Sequence, residues 1–229
     1  MRFLARKPKP ATDEGFSRAP ELLTPVVIAY RRRLDHFGPS PRGVFWRSRE
    51  SAERRFQVLV RVFDDGDRGG GIAINDLGCG YGAFFEFIRD HPAMRGSRYV
   101  GYDICPEMVA EARARIRDPR ATFVRHLKAT ETADYSFVSG TFNLKLEAEE
   151  AAWNAYVKAS LELLWQKTRK GLAFNMLDPR DKEEGDGLYY ADPLEFLEFV
   201  RARLSADARL IEDYGVPDWT ILLRRRSRR

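Results

Sequence analysis

Histidine and cysteine are scarce in this chain of 229 residues: three histidines, His36, His91 and His126, and two cysteines, Cys79 and Cys105. None falls in a metal-ligand spacing such as His-Glu-x-x-His or Cys-x-x-Cys, so no metal centre is expected. Nothing in the cysteine usage asks for an oxidising compartment, and both thiols are expected to be free. The chain also lacks an apolar run of the roughly 18 residues that a membrane span needs, and its N-terminus has no apolar signal-peptide core. A cytoplasmic protein with no membrane partner is the expectation, its oligomeric state open. No internal repeat is evident. What is present is 44% apolar residues, enough for one α/β domain with its own core and a helical extension.

Charge is uneven along the chain. Residues 1–55 carry 13 Lys/Arg against 6 Asp/Glu, a balance of +7, and Arg224-Arg225-Arg226-Ser227-Arg228-Arg229 adds +5, so the middle is +5 − 12 = −7. Basic ends of this kind either dock an anionic partner such as nucleic acid or form solvated faces. The proline-rich residues 1–20 read as a flexible basic arm. Residues 21–66 read as a helical cap: a helix over Glu21–Asp35, a break at Gly38-Pro39-Ser40-Pro41, and a second helix over about Ser48–Phe63. Residues 67–226 form the main domain, entered through a surface loop over Asp64–Gly71, and 227–229 a basic tail. In the main domain strand and helix alternate, the pattern of a mostly parallel sheet. Strands are expected at 72–77, 99–104, 122–126, 135–139 and 172–177, with a long helix over Glu147–Arg169 and another over Pro193–Leu204. The last two strands, 208–214 and 220–225, are joined too closely for a parallel crossover, so they form an antiparallel hairpin.

The most informative stretch is Asp76-Leu77-Gly78-Cys79-Gly80-Tyr81-Gly82. It ends an apolar strand, turns with glycine at every second position and runs into a helix, the place where open α/β sheets bind nucleotide-like cofactors. Asp103 ends the second strand, 21 residues beyond Gly82, where a carboxylate can accept hydrogen bonds from a ribose. Gly78-x-Gly80-x-x-Ala83 also fits a dinucleotide fingerprint. Against that reading, Asp76 would put like charge beside a pyrophosphate, and the closing hairpin leaves little chain for a substrate domain.

Together with Gly101-Tyr102-Asp103-Ile104 and Pro106-Glu107-Met108, the turn resembles class I S-adenosylmethionine-dependent methyltransferases over about residues 72–226. The resemblance implies a Rossmann-like, seven-stranded, mostly parallel sheet with the last strand inserted antiparallel beside the fifth. It implies S-adenosylmethionine as cofactor. Asp76, Gly78, Cys79, Gly80 and Gly82 would face its methionine part, Asp103 the ribose, and Ile104, Met108 and His126 or Leu127 the adenine. Gly43 to Trp46, Ser139 to Asn143 and Leu188 to Pro193 resemble a bacterial methyltransferase-domain group of undefined substrate.

Residues at the carboxyl ends of strands 4 and 5 are expected to line an acceptor pocket: Ser139, counted also with the cofactor, Phe142, Asn143, Lys145, Asn175 and Asp178. Tyr189 and Tyr190 are expected to close over it, with Trp46 as a lid and Tyr81 beside it. Arg55 is a candidate for the methionine carboxylate, and Asn143 and His126 are candidate catalytic groups. The leading expectation is methylation of O or N of a small molecule. RNA or protein methylation, a non-catalytic cofactor-binding module and a nicotinamide enzyme are the alternatives.

Overall fold

The structure, a computed structural model, describes residues 16–181 and 187–225. Most of the expected arm, part of the acidic loop after strand 5 and the tail 227–229 lie outside the described residues. Seven strands, β1 Ala73–Leu77, β2 Arg98–Asp103, β3 Ala121–Arg125, β4 Ala133–Ser139, β5 Thr168–Leu177, β6 Ala208–Ile211 and β7 Asp218–Arg224, form one sheet in the order β3-β2-β1-β4-β5-β7-β6. β1 to β5 pair in parallel, and β7 runs antiparallel to both neighbours. Helices α1 Ala19–Phe37, α2 Arg49–Leu59, α3 Ala83–Ile88, α4 Pro106–Arg115, α5 Glu150–Gln166 and α6 Pro193–Arg203 complete the fold.

β1 is buried along its whole length, as a central strand covered on both faces must be. The chain moves outward from β1 through β2 to β3, then returns to β4 on the other side of β1. That reversal opens a crevice at the carboxyl ends of β1 and β4, the position where such sheets bind ligands. α1 begins at Ala19, with Pro20 in its first turn, and stops at Gly38, which takes a positive φ of 64° while its N–H closes on the Leu34 carbonyl. A short turn, Pro41–Val44, then leads into α2, whose N-cap Ser48 accepts from the Ser51 N–H at 3.1 Å.

Three expectations need correction. The helix predicted over Glu147–Arg169 is Glu150–Gln166, and β5 starts at Thr168. The Thr168 hydroxyl donates to the Leu164 carbonyl at 2.8 Å and meets the Ser136 hydroxyl at 2.7 Å, so a β-branched residue ends the helix and starts the ladder at once. The predicted surface loop Asp64–Gly71 contains a tight turn, Asp65–Gly69, with Asp67 buried against the Tyr135 hydroxyl and held by Lys170 Nζ at 2.5 Å. The last element predicted at 220–225 begins at Asp218, and its arginines are structural. Arg224 donates to the carbonyls of Arg61, Val62 and Phe63 at 2.9–3.1 Å. Arg225 stacks 4.2 Å from the Trp165 ring centre and donates to the Trp165 and Thr168 carbonyls, each at 2.7 Å. Among the described residues no helix is long and apolar enough to cross a membrane, and no three or more His, Cys, Asp or Glu are grouped to hold a metal ion.

Candidate active site

The turn after β1 is anchored from below. Gly78 and Cys79 N–H groups both donate to the Tyr102 carbonyl of β2, at 2.7 and 3.0 Å. Gly78 has φ 76°, and a Cβ there would overlap the Thr141 side chain; position and conformation both demand glycine. At the end of β2, Asp103 Oδ2 accepts from the Gly80 N–H at 2.9 Å and Oδ1 from the Cys105 N–H at 2.8 Å. Each oxygen keeps a lone pair for a further donor, so one carboxylate fixes the turn, starts α4 and still presents two acceptors.

Above this turn lies a cavity of about 950 Å³ with the open solvent at its mouth included. Asp76, Gly78, Cys79, Gly80, Asp103, Ile104, Met108, Leu127 and Ser139 line it, as do Trp46, Tyr81 and His126. The predicted cofactor set and lid are thus brought together, with two exceptions. Gly82 faces away: a Cβ there would meet Ile116 and Phe123. Arg55 is off the cavity wall and 5% exposed; it pairs with Asp218 of β7 and donates to the Ser51 carbonyl and hydroxyl at 2.9 Å.

The predicted acceptor residues are placed differently. Phe142 is core, edge-on to Tyr156 at 6.0 Å. Asn143 does not line the cavity, and its Oδ1 is buried with no partner among the described residues. Lys145 Nζ is occupied by the carbonyls of Leu146 and Ala148 at 3.4 and 3.2 Å. Asn175 is fully buried between Asp218, to which its amide donates at 2.5 Å, and the Gly140 N–H, which it accepts at 3.3 Å. Asp178 is buried and held below the usual carboxylate range by its hydrogen bond to Arg180. Tyr189 is buried, and the half-buried Tyr190 bridges to Leu177; neither lines the cavity.

In their place the wall is built by residues that the sequence did not single out for it. One face of α1 contributes Leu23, Val26, Val27 and Tyr30, and α5 contributes Tyr156. The sequence periodicity of this helix falls on Leu22, Val26, Ala29, Tyr30 and Leu34; of these only Val26 and Tyr30 line the cavity, and Leu23 and Val27 join them from the adjoining positions. Val44 and Trp46 enter on either side of Phe45, whose φ of 62° is left-handed, a conformation costing an ordinary residue about 1–2 kcal/mol. The Phe45 ring is held edge-on to Tyr30 at 5.3 Å and under the Arg33 guanidinium at 4.5 Å.

Asp76 is the electrostatic centre of the cavity. It is 2% exposed, and the Tyr99 hydroxyl donates to it. Burial pushes its pKa up to about 7, the Tyr99 bond working against that and Asp103 adding to it. A carboxyl raised on folding holds a proton that the unfolded chain has lost. Ligand-free protein is therefore expected to become less stable as pH rises from about 4 to about 7, and Asp76→Asn to flatten that slope; thermal melts across the window check it. Burial also raises the pKa of both thiols, Cys79 and, to about 12, Cys105, which makes them poor nucleophiles.

A family model described as a methyltransferase domain matches residues 74–171. Rv1506c of Mycobacterium tuberculosis, which carries the name of a methyltransferase, is 38% identical over 160 residues, covering 68% of this chain and 94% of that protein. Among solved structures, magnesium protoporphyrin IX methyltransferase from Synechocystis PCC 6803 with bound S-adenosylmethionine has TM-score 0.57 at 14% identity, covering 93% of this chain and 97% of that one. The complex of DhpI with S-adenosylhomocysteine has TM-score 0.58 at 16% identity, covering 91% and 98%. At such identities these two structures speak for the fold. With the strand order and the paired Asp76–Gly82 and Asp103 motifs, the sequence relationship settles the matter: the chain belongs to the class I S-adenosylmethionine-dependent methyltransferases.

Proposed function

We propose that this enzyme methylates an oxygen or nitrogen of a small-molecule acceptor. The observation that carries the reading is the cavity itself, which is walled by α1, by the Val44–Trp46 loop and by Tyr156, so an acceptor has to enter a chamber rather than lie on a surface. The residues present fit the cofactor. The free lone pairs of Asp103 suit a ribose diol, the apolar sides of Ile104, Met108 and Leu127 suit a flat base, and Asp76 suits an ammonium group. Bound there, S-adenosylmethionine would supply an electrophilic methyl group for in-line transfer to the acceptor's oxygen or nitrogen, with the sulfur keeping the electron pair and the acceptor's proton passing to water. The chain's own part is to orient the two reactants and keep bulk water out. No described side chain has to serve as a base in this reading; His126, on the cavity wall, is the nearest to the role assigned from sequence.

Of the arginines near the C-terminal end, Arg224 and Arg225 are spent on backbone carbonyls, which takes these two from the charge that a nucleic acid would meet. Incubation of the protein with methyl-labelled cofactor and a metabolite extract is expected to place label in low-mass products. Label confined to RNA or protein would overturn the proposal in favour of a macromolecular acceptor. Cofactor binding without any transfer would favour a non-catalytic module.

A further inference from the structure

Among the described residues that line the cavity there is no lysine or arginine; its acids are Asp76 and Asp103, and His126 is its imidazole. The basic side chains around it are engaged elsewhere: Arg55 with Asp218, Arg31 with Glu107, Arg115 with Glu86 and the face of Tyr81, and Lys145 with backbone carbonyls. An anionic ligand entering this chamber would give up its water with no lysine or arginine on the wall to pair with, and a buried ion left unpaired costs several kcal/mol. The wall that the cofactor motifs do not claim is apolar and aromatic. Leu23, Val26 and Val27 of α1 sit at i, i+3 and i+4, Tyr30 continues the face, and Tyr156 of α5 lines the same chamber. Besides the hydroxyls of Tyr30, Tyr156 and Thr141, Ser139 Oγ is buried in the cavity wall, and it has no hydrogen-bond partner among the described residues. A buried hydroxyl left unpaired is costly, and a ligand bringing a single hydrogen-bonding group would satisfy it.

We propose that the acceptor is an uncharged, largely apolar ring compound bearing its reacting hydroxyl or N–H on an apolar body, selected by Leu23, Val26, Val27 and Tyr30. This rests on the small-molecule reading and narrows it. Methyl transfer forms the new bond from the acceptor's oxygen or nitrogen to the methyl carbon, breaks the methyl's bond to sulfur, leaves that electron pair on sulfur and releases the acceptor's proton to water.

The test uses the full chain saturated with S-adenosylhomocysteine and ring compounds matched in shape but not in charge: phenol, 1-naphthol and indole against phenyl phosphate, 1-naphthyl phosphate, 1-naphthoate and indole-carboxylate, titrated by calorimetry. At least one uncharged compound is expected to bind, with its anionic counterpart weaker by about tenfold or more, equivalent to about 1.4 kcal/mol. Val27→Lys, which adds a cation to the wall at a half-exposed helix position, is expected to keep S-adenosylhomocysteine affinity and to reverse that order. Three results overturn the proposal: anionic compounds binding the wild type as well as the uncharged ones, no uncharged compound binding at all, or Val27→Lys leaving the order unchanged. A wild-type protein that fails to bind S-adenosylhomocysteine would defeat the cofactor assignment instead, so the two failures are separable.

Discussion

Asp103→Ala is expected to weaken S-adenosylhomocysteine binding by about 100-fold while leaving the melting temperature of the ligand-free protein within a few degrees of wild type. The two parts of that expectation have different causes. Hydrogen bonds to a charged acceptor contribute about 1.5–3 kcal/mol each, and two of them lost from a ribose diol amount to about 3 kcal/mol, or two decades in affinity. Ligand-free, Asp103 gives the fold little net gain. Burial raises its pKa against the opposing hydrogen bonds from Cys105 and Gly80, so a carboxylate partly deprived of water is being held in place by two N–H groups. Removing it leaves those two groups beside the cavity, where water can reach them. Asp103→Asn keeps one acceptor oxygen and should fall between the two. Isothermal titration of the three proteins decides the matter: affinity unchanged in the alanine variant would mean that the ribose lies elsewhere.

The cofactor half of this site was legible in sequence because each of its signals is local. A strand that ends in an acid, glycines spaced to turn, and a second acid at the end of the next strand all lie within about thirty residues, and the crevice they border is fixed by topology. Alternation and the closing hairpin were enough for five parallel strands and an antiparallel pair, whereas the place of the last strand beside the fifth came from the family resemblance. Helix ends were less readable where helix and strand meet directly: Lys167-Thr168-Arg169-Lys170 fits an amphipathic helix face as well as a half-exposed strand, and only the Ser136 and Ala133 partners of Thr168 decide it. The wall on the α1 side was legible only in part: periodicity marks Val26 and Tyr30 as covered but not by what, and it passes over Leu23 and Val27, which line the same chamber. Conversely, Asn175 looked like a pocket residue because it lies near the carboxyl end of β5, and a strand paired on both sides, by β4 and β7, instead buried it.

Arg55 is where sequence reasoning had least to work with, and its replacement carries the largest expected stability effect. On α2 it reads as a helix-surface arginine; its partner Asp218 is 163 residues away. Both side chains are nearly inaccessible, at 6% and 0% exposure. Arg55→Ala would leave the Asp218 carboxylate buried beside Asn175 without its counter-charge, which costs about 3–5 kcal/mol. Asp218→Ala should cost a similar amount, because the guanidinium loses its ion pair, its Nε already has no partner among the described residues, and the Asn175 amide loses its acceptor. Removing both charges together, as Arg55→Met with Asp218→Leu, leaves no uncompensated ion and should be clearly less damaging than the sum of the single losses. Urea denaturation of the four proteins measures that coupling; strictly additive losses would show that the pair acts only by filling space. The network also reaches the site. Asn175 holds the Gly140 N–H, and a Cβ on Gly140 would lie 3.0 Å from the Trp46 indole nitrogen, so Arg55 of the cap, Asp218 of the last strand and the turn after β4 set one wall of the cavity. Arg55 therefore stands behind the wall and not on it, and variants of the pair should lose stability first, with any further loss of cofactor affinity in the folded protein measuring how far the wall shifts.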